Sequence, residues 1–316
     1  IDFVGAILAA VAILLIIFGF NNINNWGLFF ARPSAPFNFL GISPAPIMMV
    51  LGVVIAQAFL SWLHRRHNEG KSPLLAIEVI DSAEERSATI AMFVIGALGP
   101  AVNFLIPIFM QIMQGLTSFD TAVAMVPYTL SVFLSAMLIV RLFPRFPPRT
   151  IGVVGFLIVA IGLVMMAWLL QNDMSAIPVI VALVIVGLGE GALLTLTFNV
   201  LVSASPKKFA GDVGALRGTV NNMSTALCTA VAGVLAVGIL GVLVGQALVD
   251  NPALPPELVQ QVNLDNVDFI HNNQLQEMLS TSTTATPEEI AEAVQINYDT
   301  RLLALKVSFL FLAAVS

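Results

Sequence analysis

Residues 150–172 read TIGVVGFLIVAIGLVMMAWLLQN, 23 positions without a charge, bracketed by Arg149 and Asp173. A helix needs about 20 mostly apolar residues to cross the hydrocarbon core of a bilayer, so this stretch is a membrane span. Outward from it, uncharged runs of similar order occupy 3–20, 37–63, 87–119, 121–140 and 218–249, and the run 174–206 carries one charge, Glu190. That makes seven crossings, and an eighth apolar run starts after Lys306. Spanning strands would be shorter and would alternate polar with apolar residues. The fold class is therefore all-α: a polytopic membrane protein with seven full transmembrane helices and a truncated eighth.

Composition agrees. The 316 residues are 58% hydrophobic and 10% charged, with a mean hydropathy of +0.94. Soluble domains run at about 45–50% apolar and about 25% charged, so a soluble enzyme or a nucleic-acid binder is excluded. The single cysteine, Cys228, lies inside an apolar run and cannot form an intramolecular disulfide. Three histidines, His64, His67 and His271, are too scattered for a metal site, and no cofactor is implied. No Gly-x-Ser-x-Gly, His-Glu-x-x-His or acid dyad appears in the spans, so no enzyme is expected. The chain starts within two residues of one apolar run and stops inside another, as a fragment of a longer protein would.

Lysines and arginines set the orientation. Alternate connections hold Arg65, Arg66, Lys71 and Arg86, then Arg141, Arg145 and Arg149, then Lys207, Lys208 and Arg217, which is 10 of the 13 bases. That side is expected to be cytoplasmic. From Asp250 onward there are nine acids and two bases, so the stretch 250–300 is expected outside the cell membrane. In the first outer loop Trp26, Phe29 and Phe30 suit the interfacial aromatic belt. Between 64 and 86, a cytoplasmic linker, the stretch 73–80 reads as a short surface helix. In the acidic loop Pro255-Pro256-Glu257 opens one helix, and Thr286-Pro-Glu-Glu289 has a capping-box pattern that opens a second, continuous with the last apolar run.

Three stretches carry a family resemblance. Ile1-Asp2-Phe-Val-Gly5, leading to Asn-Asn-Trp26-Gly27, resembles the first of two helices that one family inserts between its six-helix halves. Leu105-Ile-Pro107-Ile-Phe-Met-Gln111-Ile-Met-Gln-Gly115, followed by Pro127, resembles the opening helix of that family's C-terminal half. Gly187-Leu-Gly189-Glu-Gly191, then Ser205-Pro206, Gly211 and Gly214-Ala-Leu, resembles the fourth and fifth helices of the same half. The family is the fourteen-helix drug:proton antiporters of the major facilitator superfamily, the EmrB/QacA type. The resemblance implies that residues 1–63 are the two insert helices and 87–316 the C-terminal half of the transporter, built as 3 + 3 inverted repeats. It also implies an N-terminal six-helix half as partner. The superfamily's cytoplasmic loop reads roughly Gly-x-Leu-x-Asp-Arg-x-Gly-x-Arg. Arg141, Leu142, Arg145 and Arg149 match it, whereas Val140, Pro144 and Pro147 replace the first glycine, the aspartate and the second glycine. Two readings fit these arginines: a gate loop, or topology signals that bind lipid phosphates.

Polar groups inside the spans are the candidate site residues. A carboxylate at mid-membrane costs roughly 2.5–3.5 kcal/mol on insertion scales, which makes Glu190 a candidate proton carrier. Ser224–Cys228 on the next span lie at a matching depth as possible solvating groups. The other reading of Glu190 is an acid hydrogen-bonded to a neighbouring helix. Asn103, Pro107, Gln111 and Gln114 fall within about an 80° sector at roughly 100° per residue, a polar stripe on an apolar helix. Asn221 and Thr225 belong to a comparable stripe on the seventh span. Cavity lining along a substrate path and interhelical packing fit both stripes equally. Gly187/Gly191, Gly214/Gly218 and Gly241/Gly245 are small-xxx-small pairs that allow close helix approach. The function expected is proton-coupled efflux of hydrophobic or cationic small molecules. The alternative is a membrane scaffold or sensor whose acidic outer loop binds a partner.

Overall fold

The computed structural model describes residues 2–171, 176–251, 269–283 and 285–316. Among these residues the regular elements are helices: α1 (Phe3–Asn21), α2 (Pro44–Asn68), α3 (Ala83–Ile108), α4 (Ser118–Leu142), α5 (Pro148–Leu169), α6 (Ala176–Ala204), α7 (Ala210–Asp250), α8 (Asn272–Ser282) and α9 (Pro287–Val315). The first seven are long and apolar enough to cross a membrane. Large apolar side chains point outward along them, from Ile7 at 62% exposed through Leu14, Ile90 and Ile177 to Trp168 at 83%. Surfaces of that kind are stable against lipid and not against water.

Two compact units divide the chain. One comprises 1–101, 136–153 and 192–231, the other 102–135, 154–191 and 232–316, so that each boundary falls inside one of α3 to α7. The first unit holds 11 bases and seven acids and contains all three basic connections. The second holds two bases and 12 acids.

In the first unit α1 and α2 form a hairpin, with Gly19 against Ala45 and Met49 and Gly52 against Ala12 and Ile16. Asp2 caps α1 and is 4% exposed. It accepts from Gly5 N (2.9 Å), Trp62 Nε1 (3.0 Å) and Leu74 N (3.1 Å) and pairs with Arg66 at 3.5 Å. Burial alone would raise the Asp2 pKa. The Gly5 and Trp62 donors, the Arg66 guanidinium and the Leu74 amide outweigh it and hold the carboxyl below its usual 3.8. The surface helix expected over 73–80 does not form. Its amides go elsewhere, Leu74 N to Asp2 and Ala76 N to Asp212 at 3.3 Å, and only a single 3₁₀ turn, Ile77–Val79, remains. β-Branched residues at 77, 79 and 80 favour the extended form. Ala76 and Val79 are buried with Met92, Leu201 and Val213, so the linker is part of the core. Glu85, 2% exposed, accepts from Ser82 N (3.0 Å) and Ser205 Oγ (3.1 Å), joining the start of α3 to the end of α6.

α9 starts as its sequence pattern requires. Glu289 N donates to Thr286 Oγ1 (3.3 Å), the Glu289 carboxylate accepts from Thr286 N (2.7 Å), and the helix then runs unbroken to Val315. The helix expected to open at 255–257 lies outside the described residues. Arg301, one residue past the acidic stretch, is 1% exposed. It donates to Asn297 O (3.1 Å), to Asn272 Oδ1 (2.5 Å) and to Ile270 O, tying the approach to α8 onto α9. Trp26 is also buried, edge-on to Phe18 at 5.4 Å, while Phe29 and Phe30 are exposed.

In the second unit the glycines of α6 set the spacing. A Cβ on Gly187 would meet Tyr128 O of α4 at 2.7 Å, one on Gly189 would meet Gly155 O of α5 at 2.8 Å, and one on Gly191 would overlap the Val132 carbonyl of α4. Gly214 and Gly218 of α7, in the first unit, have open space where a Cβ would go. Gly191→Ala should therefore destabilise the protein by about 1–3 kcal/mol through forced helix separation. Gly218→Ala should be neutral or stabilising by up to about 1 kcal/mol from helix propensity. Thermal unfolding in detergent measures both, and equal effects at the two sites would contradict this packing.

Candidate functional site around Glu190

Glu190 is the middle residue of the 29-residue α6. At 1.5 Å per residue each end is about 21 Å away. Its neighbours are dictated by the glycines around it. Gly187, one turn before, lets the backbone of Tyr128 press against α6, and Gly191 admits the Val132 carbonyl. Ser135 reinforces the contact by donating its hydroxyl hydrogen to Leu188 O across the helix pair. At that spacing the Tyr128 phenol reaches the carboxyl group and donates to Glu190 Oε2. Tyr128 is 5% exposed and Glu190 8%. Asn103 of α3, itself exposed, donates from Nδ2 to the Tyr128 oxygen at 3.4 Å. Three helices of one unit thus supply a chain that runs from Asn103 through Tyr128 to Glu190.

The backbone of α4 is adapted to this contact. Pro127 stands inside the helix immediately before Tyr128 and has no N–H for the carbonyl of Val123. Ser131 Oγ in turn donates to Tyr128 O at 2.7 Å. On another face of α6, Gly189 seats against Val159 and the Gly155 carbonyl of α5.

Neither of the expected polar stripes survives as one face. Pro107 lies in α3 just before a π-helical turn, Phe109–Met113, in which Gln114 N donates to Phe109 O at 3.1 Å. The wider turn breaks the 100° periodicity that aligned Gln111 and Gln114 with Asn103. Gln111 Oε1 accepts from Ser118 Oγ at 3.4 Å, and Gln114 Nε2 donates to Gln171 O at 3.1 Å, both at helix ends. On α7, Asn221 is exposed and Thr225 half-buried, and Thr225 O accepts from Thr229 Oγ1 at 2.8 Å. Ser224 is fully buried beside Gly96 of α3 and donates to Asn221 O at 3.0 Å. Within its own unit, Glu190 is hydrogen-bonded by Tyr128. Arg141, Arg145 and Arg149 are exposed, with no carboxylate in ion-pair range among the described residues. Arg217 lies over the Phe198 ring at 4.2 Å.

Tyr128 was the residue sequence reading passed over. Its signal was composition: the chain has two tyrosines, and this one lies mid-span after a proline. Buried phenols need a partner, and an intramembrane acid is the natural one.

Helices of this length and polarity define a polytopic membrane protein. The Major Facilitator Superfamily model matches residues 3–229, and the chain belongs to that superfamily, whose members are transporters. The chain is 25% identical over 193 residues to the "Multidrug efflux pump LfrA" of Mycolicibacterium smegmatis, an alignment covering 60% of this chain and 37% of that protein. It is 24% identical over 240 residues to the "Tetracenomycin C resistance and export protein" of Streptomyces glaucescens, covering 76% of this chain and 41% of that one. The chain thus spans about two fifths of the length of the curated relatives it matches.

Replacing Glu190 separates hydrogen bonding from charge. Glu190→Gln keeps an acceptor for the Tyr128 hydroxyl and should unfold within about 1 kcal/mol of the parent. Glu190→Leu leaves the buried Tyr128 O–H without its acceptor and should cost about 1–3 kcal/mol. Detergent unfolding midpoints decide it, and a Leu variant as stable as Gln would mean that the contact carries no stability.

Proposed function

We propose that this chain forms the two insert helices and the C-terminal half of a fourteen-helix drug:proton antiporter of the EmrB/QacA type, and that it exports hydrophobic or cationic small molecules in exchange for protons. The observation that carries the reading is the Glu190 carboxyl, buried at the centre of a membrane helix with a neutral hydroxyl as its partner. An acid that served only packing would be costly there, and an ionisable group in a span is a functional site by default. The names of both relatives, an efflux pump and an export protein, support outward transport as the direction proposed.

In this reading residues 1–63 are the insert, 64–86 the cytoplasmic linker and 87–316 the transporter half, with the stretch 250–300 outside a cell membrane. Asn103, Gln111 and Gln114 in the second unit are candidate contacts of the compound, and Asn221 and Thr225 are candidates within the first unit taken by itself. Arg141, Arg145 and Arg149, lacking the acidic partner of the superfamily loop, fix topology and contact anionic lipid rather than relay charge.

Two experiments test it. In the intact protein, Glu190→Gln should keep compound binding but reduce proton-driven export by about tenfold or more, as expected when one positioned proton-transfer group is lost. Glu190→Asp should restore part of it. Export at the normal rate in the Gln variant would remove Glu190 from coupling. Orientation is tested in a Cys228→Ser background. A cysteine at the exposed Ser280 should react with an impermeant maleimide from outside, and one at the exposed Lys208 only after permeabilisation. The reverse pattern would invert every loop assignment.

A further inference from the structure

Glu190 is 8% exposed and lies where Gly187 and Gly191 bring the backbone of α4 against α6. The Tyr128 hydroxyl is the one group hydrogen-bonded to the carboxyl among the described residues. A phenol oxygen can receive a proton on one side while releasing its own on the other. An amide cannot do this under ordinary conditions, and Asn103 occupies the receiving side of that oxygen with a long, 3.4 Å bond from an exposed side chain. We propose that Tyr128 is the proton relay of Glu190 and that Asn103 is its plug. The inference rests on the reading of Glu190 as the coupling acid.

The step balances. When the Asn103 amide swings away, a protonated water takes its place against the Tyr128 oxygen. That oxygen accepts the incoming proton as its own hydrogen passes to Glu190 Oε2. The net change is one proton moved from hydronium to carboxylate, with water released and the phenol neutral before and after. Reversal discharges the acid along the same path. The close seat of the Tyr128 backbone on Gly187, with Ser131 bonded to the Tyr128 carbonyl, keeps the phenol aimed while the Asn103 side moves. The weak bond is thus on the exposed side and the fixed contact on the buried side, as a gated relay requires.

The test uses the intact protein in liposomes with ethidium, a fluorescent lipophilic cation, as probe. Tyr128→Phe keeps the ring and its packing and removes the hydroxyl. Ethidium binding and equilibrium exchange, which need no net proton movement, should stay within about twofold of the parent. Export driven by a proton gradient should fall about tenfold or more. A role in packing alone would lower binding, exchange and export together, and that result overturns the proposal. So does normal export by Tyr128→Phe beside a dead Glu190→Gln, which leaves Glu190 as the coupling acid and removes the relay. Normal export by Glu190→Gln instead removes the parent reading. A second measurement needs no substrate and no folding of the Phe variant. Asn103→Ala should raise passive proton influx, read with an internal pH dye, and Asn103→Gln should restore the seal. An unchanged leak in Asn103→Ala overturns the plug.

Discussion

Close approach of α4 and α6 governs the site. A carboxyl group in the middle of a hydrocarbon-spanning helix must find a hydrogen-bond donor within the protein, since the bilayer core supplies none. Hydroxyl groups on neighbouring helices reach only when the backbones come nearer than ordinary side chains allow. Gly187 and Gly191 remove the obstruction on α6, and the α4 carbonyls of Tyr128 and Val132 fill the space that Cβ atoms would have taken. Ser135 closes the pair with a hydrogen bond to a backbone oxygen that the helix already uses. Small residues and short polar side chains are how helices adhere in lipid, where burying apolar surface gives no advantage over leaving it against acyl chains. Here the same contact that holds the helices together delivers the phenol to the acid.

A different principle holds the first unit at its connections. Three acids, Asp2, Glu85 and Asp212, accept backbone amide donors from the linker and from the start of α3. Two of them also bind side chains of other helices, Asp2 through Trp62 and Arg66, and Glu85 through Ser205. The linker between α2 and α3 is therefore not a loose tether. Ala76 and Val79 sit in the same core as α6 and the start of α7, and the α1–α2 hairpin is fastened to that core through Asp2.

The fold was legible because hydrocarbon thickness constrains sequence so strongly. An uncharged run of 23 residues leaves one reading, and five more like it, with a sixth interrupted only by Glu190, set the architecture. The capping box at Thr286 was equally readable, since its pattern is local. Glu190 could be found because it stands alone in its run. Its partner could not, because pairing across helices depends on which turns face each other. Tyr128 is 62 residues away in sequence. The surface helix over 73–80 failed for the same reason: amides that local pattern would have turned inward are claimed by Asp2 and Asp212, far along the chain. The stripe on α3 failed because a periodicity of 100° holds only while the helix stays α, and Phe109–Met113 does not.

That π-helical turn has a consequence for how the segment can vary. A π turn is an α-helix hosting one residue more than its geometry calls for. The segment Phe109–Met113 thus carries slack of a single position between Pro107 and the left-handed Gly115, whose φ is +67°. Removing one residue there would let the α ladder close with the residues downstream still facing nearly as they do now, because the wide turn already absorbs the extra position. Gln114 and Ser118 would stay near their present neighbours, and the Asn103 end would stay in register. The two ends of this span can therefore diverge independently in length, with the end that meets Tyr128 insulated from changes in the turn that follows.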